Sequence, residues 1–403
     1  MKISASMYLR TKNLPLYIFI AIAFLIGGPL QFLGIVSPTQ TNYVALLACL
    51  VYLVSNGITM PSRSEMLLFG IALFIYAGIV YNGSSLPGVL VYTYYLACPL
   101  IAVRTAKMAV SKGAIGSYRT VYMILIATLA LQAVAVIIQS FFADQLISIA
   151  AGDISRTDIT SGTFFVKSDG SLAVFCAIST VLFLSSPLRL RWKLAAVAFS
   201  GLVVYMSGSK AAQAYFPLAI MATLFYRGTA ASRFRIPLRA LAGLFLIIIV
   251  VILATKAQEV YAAFMSNLHD TYDYRYGDNQ AQRFAPLGDM IFSPTSYLGN
   301  GALHYYNPLT GEWLYYSGFS LIYSFYYDFG LIGLVLISLY VGTMLRELSG
   351  SWVVTGFAFS AFTVFSITAF SLTDLSFFFF LAYACLHQRN LQQPDSSEMR
   401  SLH

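Results

Sequence analysis

The chain has 403 residues, of which 58% are hydrophobic and only 10% charged, and its formal net charge is +8. So low a charge content, with apolar runs of the roughly 17 to 25 residues that cross a hydrocarbon core of about 30 Å, excludes a soluble globular domain and predicts an all-α polytopic integral membrane protein. The excess of basic residues follows from their placement along the chain, which removes any reason to read it as nucleic-acid binding.

In chain order, apolar windows between charged or Pro/Gly/Ser-rich breaks predict 12 transmembrane helices, at about 14–36, 41–60, 66–81, 86–103, 118–142, 171–186, 194–206, 211–226, 238–255, 319–345, 352–371 and 375–387. Lys2, Arg10 and Lys12 precede the first run in the manner of a secretory leader. That run has 23 residues and no clear A-x-A cleavage site, so it reads as the first membrane helix. Twelve spans put both termini on one side. Short cytoplasmic loops are enriched in Lys and Arg, and the N-terminal tail, every second loop and the C-terminal tail hold 18 of the 24 basic residues against 4 acidic ones, a balance of +14. The other side, with 6 basic and 12 acidic residues, stands at −6, so both termini are expected to be cytoplasmic.

Residues 1–403 then form a single transmembrane domain with two outer loops of any length, 143–170 and a major loop at 256–316 between spans 9 and 10. The longest cytoplasmic connection, Arg104 to Arg119, is 16 residues and leaves no room for a nucleotide-binding domain. The turn Ser207-Gly208-Ser209-Lys210 lacks the glycine spacing of a phosphate-binding loop, so ATP hydrolysis by the chain alone is excluded. No internal repeat is evident, which disfavours transporters built from related halves. Cys49, Cys98, Cys176 and Cys385 all fall in predicted spans, where cysteine serves as a small buried hydrophobe, and imply neither disulfide nor zinc site.

Chemistry gathers on the outer face. Its cations are Arg156, Lys167, Lys210, Lys256, Arg275 and Arg283. A guanidinium at the membrane surface suits bidentate recognition of phosphate oxygens, so Arg156 and Arg283 are candidates to hold the diphosphate of a lipid-linked substrate, with Arg275 on the same loop. Ion pairing with Asp153, Asp158, Asp278 or Asp289 is the alternative, since exposed pairs are commonplace. Lys210 sits in a turn too short to lift it far from the apolar core; it is either a functional group or a side chain that snorkels to the interface. Tyr305 and Trp313 belong to a run of aromatic residues in the major loop that suits the C–H faces of sugars, although aromatic side chains also collect at bilayer interfaces. Proton acceptors on this face are His269, His304, Asp278, Asp289, Glu312 and Asp328. Asp328 stands out because it lies about ten residues into an apolar segment, where an acid must be paired, protonated or functional. His269, Asp270, Asp273 and Asp278 match no metal-binding loop spacing, so no metal site is read from them.

The order of these signals, from about Arg156 to Tyr340, resembles the bacterial O-antigen and exopolysaccharide polymerases of the Wzy type and their relatives, the O-antigen ligases. Arg156 before Gly162-Thr163-Phe164 is similar to the family's Arg ahead of a Gly-Thr-Phe stretch. Ser207 to Ala212 resembles its Ser-Arg-x-Ala turn, with Lys210 in the arginine's place. Arg283 followed by Pro294 and Gly299-Asn300-Gly301 resembles the family's Arg leading to Pro and Gly-x-Gly, and Tyr327-Asp328-Phe329-Gly330-Leu331-Ile332-Gly333-Leu334 resembles its Glu-x-Gly-Ile-Ile-Gly-Leu. The ligases carry a His-Asn where this chain has Phe319 and Ser320, which favours polymerase over ligase. His304 lies fifteen residues earlier and cannot be carried over by register, so His304 and Asp328 stand as the catalytic candidates.

The resemblance implies a GT-C-like helical scaffold in the bacterial inner membrane and a metal-independent, cofactor-free glycosyltransferase whose active site faces the periplasm. It would move a growing O-antigen, capsule or exopolysaccharide chain from undecaprenyl diphosphate onto the next lipid-linked oligosaccharide repeat unit, with a chain-length regulator as a further partner. Arg156, Lys210, Arg275 and Arg283, with Tyr305 and Trp313, would bind substrate. The rivals are an O-antigen ligase and a glycolipid or solute transporter; the latter usually sets its polar groups within spans near the bilayer midplane.

Overall fold

The computed structural model describes residues 5–57, 60–83, 86–150, 159–164, 169–207, 209–225, 290, 295–303, 305–307, 312–314 and 320–392. Helix dominates. The chain opens with α1 (Ala5–Ala21), which passes through one π-helical turn, Ile22–Ile26, into α2 (Gly27–Phe32). Then follow α3 (Pro38–Asn56), α4 (Arg63–Tyr81), α5 (Leu86–Ser111), α6 (Tyr118–Phe141), the short α7 (Ala143–Ile149), α8 (Asp169–Ser185), α9 (Leu190–Met206) and α10 (Lys210–Phe225). A small antiparallel hairpin, β1 (Tyr305–Asn307) and β2 (Glu312–Leu314), precedes α11 (Leu321–Ser349), α12 (Trp352–Thr368), a 3₁₀ turn at Ser371–Thr373 and α13 (Leu375–Gln392).

Five of these segments, Lys12–Phe32, Arg63–Tyr81, Leu86–Ser111, Tyr118–Phe141 and Leu321–Ser349, are long and apolar enough to cross a membrane. Helices stand at the other predicted span positions too, except 238–255, which lies outside the described residues. The helix starts have local causes. Ser37 and Gln40 form a reciprocal capping box with Pro38 at the first helical position, Ser62 and Glu65 form another, and Ser320 accepts the amide of Tyr323. Gly350, at φ 66°, closes α11 in the left-handed conformation. The end of α5 departs from expectation: it runs to Ser111 rather than stopping near Val103, and so keeps Arg104 and Lys107 on a helix where they reach Glu65.

The core forms where α5 and α13 pack against each other and against α3, α8 and α11, with α1 reaching α13 through Phe19. Small residues allow the close approach: Cys98, Ala102 and Ala106 of α5 and Ala382 of α13 are all fully buried. The phenylalanine run of α13 meets Phe19 (Phe19–Phe379, ring centroids 5.0 Å apart) and α8 (Phe175–Phe380, 4.4 Å). Large apolar side chains such as Leu73, Val80 and Leu339 are exposed, an inside-and-outside apolar pattern that suits a lipid environment. Cys49, Cys98, Cys176 and Cys385 are each buried within a helix.

Candidate functional site at the roots of two loops

By the up-and-down alternation of the helices, the starts of α5, α8, α10 and α11 lie at one end of the bundle. There, two connecting segments are built into the helical core. An irregular backbone survives at such depth only when its amides and carbonyls find protein partners, and both segments meet that requirement in detail.

The first root joins residues 295–303 to α11. At Gly330 the helix breaks, with φ 65° and ψ −166°, a conformation essentially open to glycine alone. The break frees the carbonyls of Tyr327 and Asp328, which accept the amides of Asn300 (2.9 Å) and Gly301 (2.8 Å). It also frees the amides of Leu331 and Ile332, which donate to the carbonyls of Ser296 (2.9 Å) and Tyr297 (3.2 Å). The loop is spliced into the gap in the helix. Gly299, at φ 73°, faces the backbone of Asp328 and Phe329, and Gly330 faces that of Tyr297 and Leu298; a Cβ at either position would collide with main chain. Asp328, wholly buried, completes the join: its Oδ2 accepts the Tyr92 hydroxyl of α5 at 2.5 Å and the Leu303 amide at 2.9 Å. Tyr92 in turn meets Phe329 edge to face, with centroids 4.8 Å apart.

The second root is Ile159–Phe164, buried at every position. Two glutamines of α6 hold it. Gln139 exchanges a pair of bonds with Gly162, accepting its amide and donating to its carbonyl, both at 2.8 Å. Gln132 accepts the Thr163 amide (2.8 Å) and donates to the Thr163 hydroxyl (2.6 Å), which itself donates to the Phe24 carbonyl (2.7 Å). That carbonyl lies in the π-helical turn between α1 and α2, a place where helical backbone bonding is locally rearranged. Gly162 sits at φ 63°, and a Cβ on Gly28 would run into the Phe164 carbonyl. Thr160 donates to the Ser207 carbonyl at 3.3 Å, tying this segment to the turn that opens α10.

Of the residues singled out by sequence, Asp328 lies at the first root, where it accepts from Tyr92 and grips loop backbone at Leu303. Lys210 is the first residue of α10, three residues beyond Ser207. Tyr305 and Trp313 belong to the hairpin, where Tyr305 faces Leu314 and Tyr306 faces Trp313, and β1 lies against α11. His304, Arg156, Arg275 and Arg283 lie outside the described residues, although Arg156 is four positions before Thr160 in sequence and His304 follows Leu303 directly.

Sequence reasoning missed Tyr92, Gln132, Gln139 and Gly28. A signal existed for the glutamines: they are seven apart, hence on one face, in an otherwise apolar helix. None existed for Tyr92, one of three tyrosines at 92, 94 and 95. No family model matches the chain and no curated protein sequence matches it, so its own residues and their geometry carry the functional reading.

Proposed function

We propose that the chain is a polymerase of lipid-linked glycans in the bacterial inner membrane, with 12 spans in a GT-C-like arrangement and its active site facing the periplasm. In this reaction the acceptor sugar hydroxyl of an incoming undecaprenyl-diphosphate-linked repeat attacks the anomeric carbon of the growing glycan. The bond from that carbon to the donor's diphosphate breaks, undecaprenyl diphosphate departs with the bonding electrons, and the hydroxyl proton passes to a base. The donor is already activated, so no nucleotide is consumed.

One observation carries the reading: the backbones that lead into the cation-bearing loops are anchored in the core, not laid over it. Charge developing on a departing diphosphate is stabilised by donors fixed in advance. The segment after Arg156 is gripped by Gln132 and Gln139, and Thr160 ties it to the turn before Lys210. The segment downstream of Arg275 and Arg283 is spliced into α11. In this reading Arg156, Lys210, Arg275 and Arg283 hold diphosphate, Tyr305 and Trp313 line the sugar path, and His304 is the base. Asp328, buried and committed to Tyr92 and Leu303, positions the loop that bears His304.

A transporter reading gains one point from the broken α11, since interrupted helices form substrate sites in transporters. It loses that point because the freed amides and carbonyls are taken by residues 296–301. The ligase reading lacks the His-Asn, with Ser320 acting as the helix cap of α11 instead.

The test is a gel of surface and lipid-linked glycans from a host without the gene, complemented by wild type, Arg156→Ala or Arg283→Ala. Wild type is expected to restore a ladder, and each variant to leave single repeat units, with a loss of about 10²-fold or more in rate by analogy with oxyanion donors. Long polymer stranded on the carrier lipid in the deletion host would mean a ligase; an unchanged ladder would overturn the polymerase reading.

A further inference from the structure

The backbone that leads into His304 is held from α5 as well as from α11. Leu303 has a φ of 60°, and it is the one residue other than glycine with a positive φ among the described residues. That conformation is costly for a leucine and persists only where the surroundings over-determine it. The surroundings here are specific. Asn300 and Gly301 donate their amides to the carbonyls of Tyr327 and Asp328, Ala302 is buried, and the Leu303 amide donates to Asp328 Oδ2 at 2.9 Å.

Two residues of α5, one helical turn apart, complete the hold. Gly88 makes room for Ala302: a Cβ on Gly88 would stand 3.0 Å from the Cβ of Ala302, closer than side chains ordinarily pack. Tyr92, wholly buried, donates its hydroxyl to the same Asp328 Oδ2 at 2.5 Å. Its ring has no freedom to swing, because Tyr95, Phe325 and Phe329 each meet it edge to face, with centroids 5.3, 5.8 and 4.8 Å away. The hydroxyl therefore fixes where the carboxylate oxygen lies, and the oxygen fixes the Leu303 amide. With that oxygen free to turn, Leu303 relaxes toward a negative φ, and rotation about its N–Cα bond carries the chain after it to a new place.

We propose that Tyr92 and Gly88 are positioning residues for glycan transfer, which hold Leu303 in its left-handed conformation so that the backbone entering His304 is set before substrate arrives. The inference rests on the reading of His304 as the base. A base must stand within hydrogen-bond reach of the hydroxyl proton it takes, and misplacement by about 1 Å can cost about 10²-fold in rate. A residue that only stabilises the fold would lower the amount of folded protein and leave the turnover of each folded molecule unchanged.

The test combines hydrogen–deuterium exchange at the Leu303 amide with polymerisation kinetics of the purified full-length protein on lipid-linked repeat units. Tyr92→Phe keeps the ring and deletes the donor. It is expected to speed exchange at Leu303 by about tenfold or more, and to lower kcat by about 10- to 100-fold with KM within about twofold of wild type. Gly88→Val, which pushes on Ala302 without touching a hydrogen bond, should act in the same direction. Tyr76→Phe, whose hydroxyl belongs to an exposed pair with Thr93, should change neither quantity. Unaltered exchange at Leu303 in Tyr92→Phe, or faster exchange with wild-type kcat, would overturn the positioning role. A wild-type protein that makes no polymer would instead overturn the polymerase reading, and the exchange arm would still decide whether Tyr92 and Gly88 hold Leu303.

Discussion

The α4–α5 ion pairs at one end of the bundle and the loop roots at the other are fastened by different chemistry. Where α4 and α5 meet at one end, charged side chains pair with each other: Arg104 donates to both oxygens of Glu65, at 3.1 and 2.6 Å, and Lys107 stands 3.7 Å away. At the other end, where the loops enter the core, amide, hydroxyl and carboxylate side chains grip backbone, and glycines allow main chain to touch main chain. The difference follows from burial. The Arg104 side chain is 21% exposed, so water shares in its solvation. Gln132 and Asp328 are wholly buried, and each backbone group they hold has no water to fall back on. Disruption should therefore cost far more at the loop roots than at the ion pairs.

The largest effect is expected at the helix break. Gly330→Ala forces a Cβ into the backbone of Tyr297 and Leu298 and demands a positive φ besides, so either the loop leaves the gap or the helix shifts. A cost above about 4 kcal/mol is expected, in the range reserved for strain and broken buried networks. Gly342, in the same helix, has nothing within 4 Å of a Cβ. Gly342→Ala is expected to be neutral or stabilising by up to about 1 kcal/mol, since alanine is the better helix former. Thermal unfolding of the two variants in one detergent measures the contrast, and equal midpoints would mean that the splice does not hold the fold.

A middle-sized effect is expected where a side chain grips backbone. Gln132→Leu preserves bulk but strands the Thr163 amide, at a cost of about 1 to 3 kcal/mol. Hydrogen bonds between side chains within membranes average only about 0.6 kcal/mol, because alternative partners exist. Thr163 is fixed in a buried loop and has none, which decides for the larger figure. Asp328→Asn keeps an oxygen for Tyr92 and Leu303 and should cost less than Asp328→Leu, which removes both acceptors. Urea or thermal melts of the three variants rank them, and Asp328→Asn proving as damaging as Asp328→Leu would shift the role of Asp328 from grip to charge.

How much of this was legible in the sequence depends on the length scale of the cause. Helix positions followed from apolar runs, a cause that acts within a few neighbours in the chain, while the starts of α3 and α4 lie three residues ahead of the predicted windows, at the caps Ser37 and Ser62. Asp328 was legible as an anomaly, an acid inside an apolar run, but its partners are set by packing: Tyr92 lies 236 residues away. The extra turns of α5 were illegible because Arg104 reads as a loop cation until Glu65, 39 residues earlier, is brought beside it. The glycines illustrate the same limit. In the sequence Gly299 and Gly330 stand only as members of the stretches Gly299-Asn300-Gly301 and Tyr327 to Leu334, and the close approach of each to the other's segment explains why both are glycine.

The smallest effect is expected at the ion pair, and it should be lopsided. Arg104→Ala leaves Glu65 with the Ser62 amide at 3.0 Å and with Lys107 nearby, so the carboxylate is not stranded. A cost of about 1 kcal/mol or less is expected, falling as salt is added. Glu65→Ala removes more, because Glu65 also completes the capping box of α4, whose loss alone costs about 0.5 to 2 kcal/mol. Glu65→Gln retains an acceptor for the Ser62 amide and should fall between the two. Thermal melts of the three variants at low and high salt separate the contributions: the charge contribution should fade with salt while the cap remains. If Arg104→Ala proved as costly as Gln132→Leu at high salt, the distinction between ion pair and loop root would collapse, since a partly exposed pair would then be holding the bundle as firmly as a wholly buried grip.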